Sequence, residues 1–152
     1  MSNTLANAKA ILEADTVPVT GLVALATGGI WDWDETGRMG INRSNTLTAA
    51  AFTNSIIKPC LLLKLRTSVP FGDVADDSAH ITGARDMLEV WAYQHSGYST
   101  IKSMLARVYT LIQGQRLGGY VCRWAMDTQP LRDVEMDASV ERSDYAVIWL
   151  KS

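Results

Sequence analysis

Cysteine, histidine and long apolar runs are scarce in this chain of 152 residues. Its two cysteines, Cys60 and Cys122, exclude a disulfide scaffold, and each lies in an apolar strand-like run where a thiol is a small core residue. The two histidines, His80 and His95, have no second His or Cys at ligand spacing, so no metal centre is expected. No apolar run reaches the length of a membrane span. The start MSNTLANAKA has no basic region leading into an apolar core, and the expectation is a soluble protein made in the cytoplasm, without a membrane partner. Basic residues are not in excess: 14 Lys and Arg against 16 Asp and Glu give a formal charge of −2. Tight sequence-independent binding of nucleic acid, which depends on cations displacing counterions, is therefore not expected.

The common catalytic patterns are missing too. Gly28-Gly29 and Gly118-Gly119 lack the spacing and the following Lys-Ser/Thr of a phosphate loop. No serine sits in a nucleophile elbow, and no Cys–His pair is close in sequence. Asp73, Asp76 and Asp77 have neither the alternation nor the distal Glu of a calcium loop. No catalytic residue, cofactor or metal ligand is assigned, and an enzyme is not expected.

What remains is a chain that is 47% hydrophobic and 20% charged, long enough for one core and read as a single α+β domain over 1–152. The expected fold is a mainly antiparallel or mixed sheet, with a short N-terminal helix and a long amphipathic helix over about 99–113 packed on it. In that helix Ile101, Met104, Leu105, Val108, Leu111 and Ile112 recur at spacings of three and four, Ser99 or Thr100 is positioned to cap its start, and Gly114 to end it. Leu5, Ala8, Ile11 and Leu12 give the first helix, closed by Val17-Pro18, and TGLVALAT at 20–27 reads as a second, short one. Strands are expected from Ile30, over 59–67, 87–93 and 120–126, and from about Val140 to Leu150. In the second of these, Cys60, Leu62 and Lys64 face one way and Leu61, Leu63 and Leu65 the other.

Two stretches read as connections: a long loop or β-excursion over 34–58, and a polar loop over 68–83. Loops of this size suit docking. Candidate interaction residues are Trp31, Trp33, Met39, Ile41, Phe52, Ile56 and Phe71. Five tryptophans suit a bulky core or a subunit interface, where one end of the ring is apolar and the other wet.

The order of LANAKAILEAD, GGIWDW, KPCLLLKLR, RDMLEVWAYQHSGYSTIKSMLARVYTLIQG, GYVCRWAMD and DYAVIWL resembles the tail-completion or tail-terminator (neck) proteins of tailed bacteriophages. The resemblance covers most of the chain, and the 34–58 loop is longer than the family's usual connection. It implies a structural virion protein without catalytic residues, forming a ring, commonly a hexamer, at the head–tail junction. The implied partners are copies of itself, the tail tube protein and a head-side connector or head-closure protein, with DNA passing through a channel without specific binding. In that setting Asp73, Asp76, Asp77, Asp133, Glu135 and Asp137 are candidates for the lumen or its rim. The alternatives are a small-molecule-binding or regulatory α+β domain, and another neck component such as a head-closure or connector protein.

Overall fold

A computed structural model describes residues 4–72, 81–117 and 120–150. Helix α1 (Thr4–Glu13) buries Thr4, Ala8 and Leu12 at four-residue spacing along one stripe. It leads through a turn at Pro18 into the single turn α2 (Leu22–Leu25). Strand β1 (Ile30–Asp32) follows. A 3-10 segment (Thr46–Ala51) and the small hairpin β2 (Phe52–Thr53) and β3 (Ile56–Ile57) lie within the long 34–58 connection, which is thus a β-excursion with a helical turn.

The chain then runs up β4 (Cys60–Gly72) and back along β5 (Ile81–Gln94), through α3 (Ser99–Ile112), and into β6 (Arg116–Leu117), β7 (Tyr120–Asp127), β8 (Leu131–Asp133) and β9 (Ala138–Leu150). The main sheet has the order β1-β4-β5-β9-β7-β6, with β8 beside β9. Among the described residues only β1 on β4 is parallel and the other pairings are antiparallel, so the sheet is mixed.

Three expectations need correction. The polar loop at 68–83 is too wide, because β4 continues to Gly72 and β5 begins at Ile81, pairing Val69 with Arg85 and Phe71 with Gly83. Pro70 lies beyond the reach of β1, on an edge where a missing N–H breaks no ladder. The helix at 99 is amphipathic but not long, since its 14 residues are close to the common length for globular proteins. Neither Ser99 nor Thr100 caps it, because Tyr98 is the cap residue and makes no side-chain cap bond. Gly114 does take the left-handed conformation, with φ of 78°.

Alternation along the strands sorts the core into two. Leu61 and Leu63 of β4, Leu88, Val90 and Ala92 of β5, and Tyr145 and Val147 of β9 face the helices and pack with Ala8, Leu12, Leu22 and the apolar stripe of α3. The opposite face carries Cys60, Leu62, Tyr93 and Val140, covered by Ile41, Ala51 and Ile57 from the long connection and Met136 from the β8–β9 turn. A connection that looks polar in sequence therefore supplies the cover for a second apolar layer. Both cysteines are buried free thiols, and burial pushes Cys122 up to about 12, away from the reactive thiolate form.

Candidate interaction surface

The long connection wraps the β1 edge of the sheet. On one side Lys9 of α1 donates to Glu35 at 2.7 Å; on the other Ile41 enters the core of the opposite face. Buried Asn45 holds the bend rigid, its amide donating to the carbonyls of Thr36 and Gly40 at 2.8 Å each. Thr36 Oγ1 donates to the carbonyl of Trp33 at 2.7 Å and accepts the N–H of Gly40 at 3.1 Å. The backbone of this bend is largely satisfied from within, so it is an ordered projection.

Of the candidate interaction residues, Trp31, Trp33 and Phe52 are half-buried and pack against the second core, Ile41 is buried in it, and Met39 and Ile56 are exposed. Phe71 lies in β4, with its side chain outside the described residues, as are Asp73, Asp76 and Asp77 entirely. The remaining acids form the β8–β9 turn. Asp133 accepts the N–H of Met136 at 3.1 Å, Asp137 pairs with Arg132, and Glu135 is exposed.

A pocket of about 290 Å³ unites members of both groups, with Trp33, Met39 and Ile41 on one wall and Asp133 and Glu135 on the other. Its floor is Leu62, Trp91 and Tyr93, and the ammonium of Lys64 lies 4.2 Å from the Trp33 ring centre. Beside it, on the same face, two arginines and two acids cross three strands. Arg66 Nε meets Glu89 at 2.7 Å and its Nη2 meets Asp144 at 3.3 Å, while Arg142 Nε meets Asp144 at 2.8 Å. Trp91 Nε1 donates to Glu89 at 3.1 Å, and Arg142 stacks 5.1 Å from the Trp91 ring centre. Burial raises the Asp144 carboxyl above the usual range, and the arginines offset that only in part.

On the helix-covered face, α1 packs on β1, β4 and β6, and α3 on β5, β9 and β7. There a cleft of about 620 Å³ runs between α3 and β9, lined by Lys102, Tyr109, Trp124, Asp127, Glu141 and Tyr145 among others. Lys102 donates to buried Glu141 at 2.6 Å. One oxygen of Asp127 accepts both Trp124 Nε1 at 3.0 Å and Ser143 Oγ at 2.6 Å. The Tyr145 hydroxyl is buried without a hydrogen-bond partner among the described residues, and burial raises its pKa. Sequence reading missed this cleft. Its signal was present: the helix-facing positions of β9 run Glu141, Ser143, Tyr145, placing polar groups where a sealed face would be apolar.

Among the described residues no cluster of His, Cys, Asp and Glu is arranged to hold a metal ion, and no helix is long and apolar enough to cross a membrane. No family model matches the chain, and no curated protein matches it. Among solved structures, a chain from the "Virion of native gene transfer agent (GTA) particle" is 15% identical, with 99% of this chain and 96% of that chain covered and a TM-score of 0.62. At that identity the match establishes a shared fold, spanning nearly the full length of both chains.

Proposed function

We propose that this chain is a structural protein of a phage-like virion, and within it a ring-forming subunit at the head–tail junction that completes the tail and lines part of the DNA channel. The observation that carries the virion reading is the fold held in common, over 99% of this chain, with a component of a gene transfer agent virion. The ring and the neck position rest on the family resemblance of the sequence. Both suit a subunit whose long connection is rigid, projects Met39 and Ile56 into solvent, and wraps one edge of the sheet. In this reading the partners are further copies of the chain, six in the resembling family, with the tail tube protein and a head-side connector or head-closure protein. DNA passes without specific contacts, the protein has no enzymatic activity, and it is made in the host cytoplasm before joining the virion.

Electron microscopy of the native particle tests the reading. A ring of this chain between head and tail is the expected result. Its presence in the capsid shell or elsewhere would end the tail-completion reading while keeping the virion one. A channel dominated by Lys and Arg would end the proposed lumen role for the acidic turn at Asp133, Glu135 and Asp137. A small-molecule-binding domain is the second reading, favoured by the cleft of about 620 Å³, a size typical of ligand sites.

A further inference from the structure

Two features are left unpaired within the subunit: a bend at the β1 edge of the sheet, and the cleft between α3 and strands β9 and β7. At the β1 edge, the bend fixed by Asn45 projects Met39, Arg43 and Leu47 into solvent. Arg43 makes no hydrogen bond or ion pair among the described residues. At the β7 side, the cleft beside α3 has a mouth formed by Tyr109 and Trp124, each 47% exposed. Asp127 lies within it, has no cationic partner among the described residues, and uses only one carboxylate oxygen.

We propose that the cleft of one copy receives the 39–47 bend of the next, with Arg43 set between Tyr109 and Trp124 against the free oxygen of Asp127. This rests on the ring reading above and names its contact. Three physical points support it. A guanidinium stacks on aromatic faces and donates to a carboxylate at once, so one side chain satisfies both walls of the cleft. Within the cleft Glu141 is already neutralised by Lys102, which leaves Asp127 as the excess charge that Arg43 balances. The bend is ordered before docking by its internal hydrogen bonds, so little conformational entropy is lost on binding. Because donor and acceptor surfaces differ, each copy offers one of each, a head-to-tail contact that closes into a ring when its rotation divides a circle evenly.

The test is charge exchange, read by sedimentation of the purified chain and by its incorporation into rings on tail tubes. Arg43→Glu alone and Asp127→Arg alone should each weaken self-association by about tenfold or more, and the double variant should recover most of it. Asp127→Asn keeps an acceptor oxygen for Trp124 and Ser143 but replaces the free oxygen by an amide NH2, so it removes both the charge and the acceptor offered to Arg43, and an unchanged melting temperature beside lost association ascribes the loss to the contact. Rings that form with wild-type strength in both single variants would overturn the proposed contact and leave the ring reading standing. The same holds for a double variant that folds yet fails to recover. A chain that remains monomeric both alone and with tail tubes would overturn both readings. A small molecule bound in the cleft, with association indifferent to Arg43→Glu, would overturn the contact in favour of a ligand site.

Discussion

The side chain of Gln94, the last residue of β5, accepts the backbone N–H of Ile101 in the first turn of α3 at 2.8 Å. Its amide nitrogen donates to the carbonyl of Ser96 at 2.7 Å, so one residue fixes the turn and supplies the cap that Tyr98 does not. Gln94→Ala should cost about 1–2 kcal/mol, the usual loss for a removed helix cap. The denaturation midpoint is expected to fall with the slope unchanged, which urea titration followed by circular dichroism measures.

Asp15 joins three helices. Its carboxylate, buried after α1, accepts the N–H of Leu22 at 2.7 Å, and both of its oxygens meet Arg107 of α3, at 2.7 and 2.9 Å. The Arg107 hydrogen bonds hold its pKa down to about 2, against an ordinary 3.8, although burial acts the other way. A carboxyl with a folded pKa below its unfolded one contributes stability that is complete above about 3.8 and is lost as the pH falls towards 2. Asp15→Asn should therefore be less stable than wild type at neutral pH, and the gap should narrow between pH 4 and pH 2. A gap that stays constant over that interval in thermal melts would assign the effect to packing alone.

Across the loop-covered face, Asp144 is the carboxylate shared by Arg66 and Arg142, and its side chain is fully buried. Asp144→Ala leaves the half-buried Arg142 without its nearest anion and should destabilise the chain by about 3 kcal/mol. Replacing Arg66, which is half exposed, should cost less, since Arg142 still pairs with Asp144. Chemical denaturation of the two variants separates them.

The parts of this fold legible in sequence are those set by short-range periodicity. The stripe of α3 and the alternation of β4 put Ile101, Met104 and Val108, and Leu61 and Leu63, into one core as expected. The strand tips were less legible, because Pro70 and Gly72 look like loop residues and only pairing with β5 makes them strand. The Gln94 cap was hidden for the same reason: its side chain and Ile101 are seven residues apart and meet only after the turn forms. In the candidate surface, Trp33, Met39 and Ile41 converge with Asp133 and Glu135 through the sheet, at a sequence distance no local pattern spans.

The division between scaffold and projection is testable at two residues. Val108 is fully buried on the core-facing side of α3, whereas Met39 is 60% exposed on the bend at the β1 edge. A carboxylate at position 108 has no partner in an apolar layer, and burying it costs more than about 4 kcal/mol, a large share of the 5–15 kcal/mol that stabilises a typical domain. Val108→Asp should thus be unfolded or strongly destabilised. Met39→Asp removes only exposed apolar surface, so its stability should stay within about 0.5 kcal/mol of wild type while its association with neighbouring copies weakens. Melting temperature and sedimentation on the same samples distinguish the two: if Met39→Asp also lost its folded transition, the bend would belong to the core rather than to the surface it presents.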